Sequence, residues 1–218
     1  DGGAALLKNP SRLFDVTSAV RQAVPKSIPV TAKVRLGFDH KNYVKEIAQA
    51  VEEAGAAHIV VHARTKAEMY TPPAHWEHIA VMREGRNLPF LANGEIWSVE
   101  DYEKCKSISG VSRVALGRGI VRRPTLALEI AAAQRGERIS PLFDREKFLR
   151  RFYDLSRTEK GEAFAIARMK QLALGIGLDA ELGLDDSVAG RNVELHQVLR
   201  HMLAGTGPER LVYVWGTP

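Results

Sequence analysis

Four polar side chains suited to ligand binding stand at or beside the ends of successive apolar segments in this 218-residue chain. They are Lys33, His62, Asn93 and Arg118. The lysine and the arginine carry fixed positive charge, and the asparagine amide both donates and accepts hydrogen bonds. Arg118 lies between Gly117 and Gly119, directly before a predicted helix, and such turns present backbone N–H groups to a phosphate. The set predicts a site for a phosphorylated, hydrogen-bonding planar cofactor, a description that flavin mononucleotide (FMN) fits.

The elements that must position these side chains repeat as strand–helix units from residue 28 onward. The predicted strands occupy residues 28–37, 57–63, 88–94 and 112–119, and the predicted helices occupy residues 43–55, 75–85, 98–109 and 124–136. Continuous apolar strands of this kind are typical of parallel strands that are buried on both faces. The alternation predicts an α/β fold with a parallel sheet, as in half of a TIM (β/α)8 barrel or in an open sheet. In both folds a ligand lies at the carboxyl ends of the strands, so we expect the four side chains to converge.

Each of these features also has an ordinary structural explanation. Lys33 can be a solvated strand end, Asn93 and Gly94 are a common turn pair, and a glycine turn around Arg118 can be no more than a turn. Their shared position at the ends of successive strands favours the functional interpretation.

The sequence after Pro141 is helical in pattern, charged and free of predicted strands. We therefore predict a partial FMN-binding (β/α) barrel in residues 1–138, a small all-helical domain in residues 139–205 and an irregular tail in residues 206–218. The helical part is expected to expose Arg150, Arg151, Arg157, Arg168 and Lys170. Such cations are either ordinary solvated charge or a contact surface for the phosphate backbone of RNA.

Composition, charge and cysteine content bear on the partners, the compartment and the metal sites that the chain can have. The net charge of +5 is compatible with a polyanionic partner, and no apolar run is long enough to predict a transmembrane helix. The single cysteine, Cys105, fits a reducing, cytoplasmic setting, and its place in an amphipathic predicted helix indicates a structural thiol. His75 and His78 have helical spacing, but no cysteine or carboxylate cluster accompanies them, so we predict no metal site.

Four sequence blocks, in this order, resemble those of the tRNA-dihydrouridine synthases. The blocks are PVTAKVRLGFD (29–39), VHARTKAEMYTPPAHW (61–76), LANGEIWS (91–98) and GRG (117–119). The resemblance extends from residue 1 to about residue 175 and is closest to the C subfamily, which acts on uridine 16 of the tRNA D-loop. It implies an FMN-dependent (β/α)8 barrel followed by a helical domain. It also implies reduction of a uridine C5–C6 double bond with NADPH as the reductant.

The resemblance assigns expected contacts to individual residues of this chain. The implied cofactor contacts are Lys33 at the flavin ring, Asn93, Gly94 and Glu95 along the cofactor, and Gly117 and Arg118 at its phosphate, with His62 close by. The implied tRNA contacts are Arg35, Arg64, Arg168 and Lys170.

The general acid of the family is a cysteine in an N-x-G-C-P block, which the resemblance places upstream of Asp1. We therefore assign no catalytic residue within this chain and expect it to be the C-terminal part of such an enzyme. Family members are usually monomeric, whereas half a barrel is expected to self-associate through its exposed sheet edge. Two alternatives are a non-catalytic tRNA-binding remnant and another flavin barrel, such as a relative of dihydroorotate dehydrogenase. The block at 61–76 argues against the latter, and a D-loop position near uridine 16 also stays open.

Overall fold

The structure, a computed structural model, describes residues 3–176 of the chain and contains a parallel four-stranded sheet. Its strands are β1 (Thr31–Arg35), β2 (His58–His62), β3 (Phe90–Asn93) and β4 (Val114–Ala115). The sheet order is β1-β2-β3-β4, so each strand pairs in parallel with its neighbour in sequence. The predicted α/β class with a parallel sheet is confirmed.

Helices connect the strands and follow the sheet. A short 3-10 helix, Gly3–Lys8, comes first. The α-helices are α1 (Pro10–Ala23), α2 (Val44–Glu53), α3 (Glu77–Arg83), α4 (Val99–Ser109), α5 (Arg118–Arg122), α6 (Leu126–Ala133), α7 (Arg145–Lys160) and α8 (Glu162–Ile176).

Two details of the sequence-based prediction are wrong around the fourth strand. The strand predicted over 112–119 covers only Val114–Ala115, because the chain turns at Gly117 and α5 begins at Arg118. The helix predicted from Pro124 begins at Leu126, since the residues before it form a turn. The strand therefore ends earlier than the apolar pattern indicated, and the turn at Gly117 follows it closely.

The chain divides into two compact units, one ending at Gly119 and the other beginning at Ile120. In the second unit, α7 and α8 pack against each other around a small apolar core. Its buried members are Leu149, Tyr153, Ala165, Met169 and Leu172. The predicted boundary after residue 138 stays a prediction, and the predicted tail (206–218) lies outside the described residues.

The two faces of the sheet differ in burial. Val34, Val61 and Ala92 are in register on one face and are buried. Helix α2 contacts β2 and contains fully buried residues such as Ile47 and Val51. Lys33, Val60 and Leu91 share a row on the opposite face and are exposed or half-buried. In this chain the second face is less buried than the expectation of strands buried on both faces implies, and a cavity lies at the strand ends.

No helix among residues 3–176 is both long enough and apolar enough to cross a lipid bilayer.

Candidate ligand-binding site at the strand ends

A cavity of about 270 Å³ lies at the carboxyl ends of the four strands. All the residues predicted to contact a cofactor line it: Lys33, His62, Asn93, Gly94, Glu95, Gly117 and Arg118. A larger groove of about 650 Å³ runs along α1 and α2, but it contains none of these residues and mixes Lys8 with Glu46 and Glu53. The chemistry of the side chains therefore points to the smaller cavity.

Strand register explains why these side chains meet. Arg35, His62, Asn93 and Ala115 are Cα partners across the sheet and form one row. Lys33 lies two residues before Arg35 and so projects from the same face. The Asn93 side chain is fixed within this row, since its Nδ2 donates to the Ala115 carbonyl oxygen at 2.7 Å.

His62 is the most electrostatically perturbed group in the cavity. It is 6% exposed, and burial lowers the pKa of its imidazole from 6.5 to about 4, with the positive charges of Arg35, Lys33, Arg64 and Arg118 adding to the effect. The ring is therefore neutral near pH 7. Four cations around one buried imidazole make the cavity a place where an anionic ligand is favoured.

Glu95 joins three side chains of the cavity through its carboxylate. Arg64 Nη2 lies 2.8 Å from its Oε1, Arg118 Nη2 lies 3.3 Å from the same atom, and Trp97 Nε1 donates to Oε2 at 3.2 Å. Burial opposes ionisation, but the hydrogen bonds from Arg64 and Trp97 and the two guanidinium charges hold the pKa of Glu95 below its ordinary value. Glu95 has φ of 52°, in the left-handed region, so these contacts stabilise a costly backbone conformation.

Arg64 is fully buried, and its predicted contact with tRNA stays a prediction. Its Nε donates to the Thr71 carbonyl oxygen at 2.6 Å, and its Nη2 forms an ion pair with Glu95. Its Nη1 is buried without a hydrogen-bond partner among the described residues. Arg64 thus lines the cavity with a guanidinium that is held by Thr71 and Glu95.

Arg35 is half-buried and binds the segment that follows β2. Its Nη1 donates to the carbonyl oxygens of Thr65 and Met69, both at 2.8 Å. The guanidinium also lies 5.4 Å from the ring centroid of Tyr70. Arg35 thus braces this segment beside the cavity, and its predicted contact with tRNA stays a prediction.

Sequence reasoning missed two aromatic residues of the cavity, Tyr70 and Trp97. Tyr70 is 56% exposed, and its ring centroid lies 6.0 Å from that of His62. The Arg118 guanidinium lies 5.1 Å from the ring centroids of both Tyr70 and Trp97. Both residues occur within the blocks at 61–76 and 91–98, and their aromatic type close to strand ends was the available signal.

The segment carrying Tyr70 is held by polar contacts outside the cavity. Glu68 accepts from the Thr65 backbone N–H at 2.7 Å and from Lys41, while the Glu68 N–H donates to Thr65 Oγ1 at 3.2 Å. Although burial raises it, the hydrogen bonds from Lys41 and Thr65 lower the pKa of Glu68 to about 2. Further along, the His75 backbone N–H donates to the Ala63 carbonyl oxygen at 2.7 Å, which returns the chain to the end of the strand.

Arg168, Lys170 and Cys105 are not among the described residues that line this cavity. Arg168 and Lys170 are on α8 in the second unit, where the Arg168 guanidinium lies 5.1 Å from the Phe164 ring centroid and the Lys170 side chain is outside the described residues. Cys105 is fully buried on α4, and burial raises the pKa of its thiol to about 11. Within residues 3–176, no group of three or more His, Cys, Asp or Glu side chains could hold a metal ion.

Comparison with known proteins adds independent information. The profile of the dihydrouridine synthase family matches residues 1–171. A tRNA-dihydrouridine(16) synthase of Pseudomonas putida is 46% identical over 198 residues, which cover 86% of this chain and 61% of that protein. Proteins of the same name from Pseudomonas syringae pv. tomato and Neisseria meningitidis are 48% and 44% identical, over 78% of this chain and 54% and 52% of their own lengths. The chain thus spans about half to three fifths of the length of these relatives.

Proposed function

Because the chain belongs to the dihydrouridine synthase family, we propose that it forms part of a flavin-dependent tRNA-dihydrouridine synthase. The proposed reaction reduces the C5–C6 double bond of a uridine in the tRNA D-loop, with NADPH as the source of electrons. The names of the relatives cited above specify position 16, which makes uridine 16 the proposed substrate position. The proposed partner is therefore tRNA.

The fold proposed for the whole protein is a (β/α)8 barrel followed by a helical domain. Four parallel strands in chain order, each followed by a helix, support a partial barrel made by this chain. The paired helices α7 and α8 support the start of the helical domain proposed for residues 139–205.

The cavity residues fit the proposed FMN cofactor. The buried Nη1 of Arg64 lacks a hydrogen-bond partner among the described residues, and a buried charged donor of this kind is stabilised by an acceptor such as a ligand oxygen. A Cβ added to Gly117 would meet only Asn93 Nδ2, at 3.9 Å, so the backbone before Arg118 is open to close approach by a phosphate. Lys33 offers an exposed ammonium group on the same face of the sheet.

Each residue has a proposed task. Gly117 and Arg118 bind the phosphate, Lys33 donates to a carbonyl oxygen of the flavin ring, and Asn93 contributes its remaining amide groups. Reduced FMN supplies the hydride for the reaction. His62, neutral near pH 7, can accept or donate one hydrogen bond without adding a fifth positive charge to the cavity.

Three arginines and one lysine were predicted to contact tRNA, and one of them, Arg64, is now proposed to have another role. Arg35, Arg168 and Lys170 stay proposed tRNA contacts. Arg64 is instead proposed to support the cavity, since it is fully buried and bound to Glu95 and Thr71. Cys105 is not proposed as the general acid, because it is buried on α4 and its thiol has a raised pKa.

The observation that carries the proposal is the convergence of all predicted cofactor residues on one cavity in a chain of this family. The first test is the visible absorbance of the purified protein after incubation with FMN and desalting. We expect retained flavin, and we expect Arg118→Met to weaken FMN binding by about 10- to 100-fold, the loss typical of a charge-assisted contact. Arg135→Met is the matched control, because Arg135 is exposed and does not line the cavity, and its partners among the described residues are Glu137 and the Ala131 carbonyl.

The second test measures dihydrouridine in a tRNA transcript after incubation with the protein, FMN and NADPH. A transcript with cytidine at position 16 is the control for the site of reduction. Flavin binding together with position-16 reduction would support the full proposal. Binding of tRNA without flavin uptake would instead favour the non-catalytic remnant.

A further inference from the structure

Arg118, the proposed phosphate ligand, lies close to two aromatic rings. Its guanidinium carbon is 5.1 Å from the ring centroids of Tyr70 and Trp97. Its Nη2 also lies 3.3 Å from Glu95 Oε1. Distances of this size between a guanidinium and an aromatic ring give a favourable cation–π interaction.

The side chain of Arg118 needs such support. It is 55% exposed, and an exposed arginine on a helix start can adopt many rotamers. The contacts with the two rings and with Glu95 reduce this freedom before a ligand arrives, and a pre-ordered cation binds its ligand at a lower entropic cost.

Trp97 is the better fixed of the two rings. Its backbone N–H donates to Asp101 Oδ2 at 3.0 Å, and its Nε1 donates to Glu95 Oε2 at 3.2 Å. Asp101 lies in the first turn of α4, where Ser98 Oγ accepts from the Asp101 N–H at 3.1 Å. The backbone and the indole of Trp97 are therefore each held by a hydrogen bond, whereas Tyr70 projects from an exposed segment.

Trp97 acts on Arg118 through two contacts, one direct and one through Glu95. The ring faces the guanidinium directly, and the Nε1–H bond orients the Glu95 carboxylate whose other oxygen meets Arg118. Loss of Trp97 therefore removes one face contact and loosens the carboxylate at the same time.

We propose that Trp97 is a positioning residue that sets the preference of this cavity for phosphorylated over unphosphorylated ligands, by holding the Arg118 guanidinium in place. This inference rests on the proposed function, in which Arg118 binds the phosphate of FMN. A residue with a merely structural role would weaken the binding of FMN and of riboflavin alike, since the two ligands differ only in the phosphate. The ratio of their dissociation constants therefore isolates the positioning role.

The experiment measures the Kd of FMN and the Kd of riboflavin for the unaltered protein and for three variants, Trp97→Leu, Trp97→Phe and Arg118→Met. The unaltered protein is expected to prefer FMN, and Arg118→Met to lose most of that preference. Trp97→Leu is expected to lower the riboflavin-to-FMN Kd ratio by about 3- to 10-fold, the range of one cation–π contact. Trp97→Phe keeps a ring but loses the bond to Glu95, so a smaller loss is expected.

Phe164→Leu is the matched control, because it removes a ring that also lies 5.1 Å from a guanidinium, that of Arg168 on α8. It is expected to leave the ratio unchanged. Circular dichroism at the assay temperature establishes that each variant is folded.

The outcomes separate this inference from the proposed function. If Arg118→Met lowers the ratio and both Trp97 variants keep it, the positioning role of Trp97 is wrong while the proposed cofactor stands. If Arg118→Met itself keeps the ratio, the phosphate contact and the inference both fail. If the unaltered protein binds neither flavin, the proposed cofactor is overturned, and the inference with it.

Discussion

Acidification should destabilise this protein through His62, and the structure gives the size of the effect. The imidazole is 6% exposed among four cations, and its pKa in the folded protein is lowered from 6.5 to about 4. Between these two pH values the unfolded chain binds a proton that the folded protein does not bind. The contribution of His62 is therefore fully present above pH 6.5 and is lost as the pH falls toward 4. The complete loss is about 3 kcal/mol, and the part lost by pH 5 is about 2 kcal/mol.

The perturbation is His62→Gln, which removes the titrating group and keeps a polar side chain. The assay is urea unfolding at pH 7 and at pH 5, without added flavin, for the protein and the variant. The unaltered protein should lose about 2 kcal/mol more than the variant between the two pH values. His58→Gln is the control, since His58 begins the same strand and does not line the cavity.

An equal loss of stability in the unaltered protein and in His62→Gln would refute the reasoning. Such a result would mean that the cations around His62 are screened by solvent, or that the ring is free to leave the cavity when protonated. Either explanation would also weaken the argument that the cavity favours an anion.

Three further predictions concern Glu68, Gly94 and Cys105. Glu68→Gln should destabilise the protein by about 1–2 kcal/mol at pH 7, and urea unfolding should show this loss shrinking as the pH falls from 4.5 toward about 2, where Glu68 itself becomes protonated. Gly94→Ala should cost about 1–3 kcal/mol in the same assay, because Gly94 has φ of 118° and the new Cβ would lie 3.2 Å from His62 Cδ2. Gly136→Ala, at φ of 76° with no atom nearby, should cost only about 1 kcal/mol. Cys105 should react with a thiol reagent only in urea, and rapid labelling of the native protein would contradict its burial and raised pKa.

The convergence of the strand ends could be predicted from sequence because it depends on periodicity alone. Apolar runs followed by Lys33, His62 and Asn93 imply parallel strands, and parallel strands end at one edge of a sheet. The register then places these residues on one face, as the structure shows.

Contacts that depend on irregular segments could not be predicted in this way. Tyr70 reaches the cavity through a segment held by Arg35 and by the Glu68–Thr65 contacts, and no periodic pattern encodes such a path. The burial of Arg64 could not be predicted either, because arginine is rarely buried unless paired and its partner Glu95 lies 31 residues further along the chain.

The short fourth strand illustrates a limit of hydrophobic patterns. Residues 112–119 contain an apolar stretch, but Gly117 ends the extended conformation and α5 begins one residue later. A pattern of side chains does not report where the backbone turns, although this turn is what places Arg118 beside Glu95.

The agreement between strand order and chain order has a consequence for how the sheet assembles. Thr31 pairs with His58, Ile59 with Phe90 and Ala92 with Val114, so each pairing closes a loop of only roughly 20 to 30 residues, which keeps the entropic cost of closure low. As the chain leaves the ribosome, every new strand among β2, β3 and β4 finds its partner already made. The sheet can therefore grow by one strand–helix unit at a time during synthesis, and the residues of β4 and the glycine turn join the cavity last among the four strand ends.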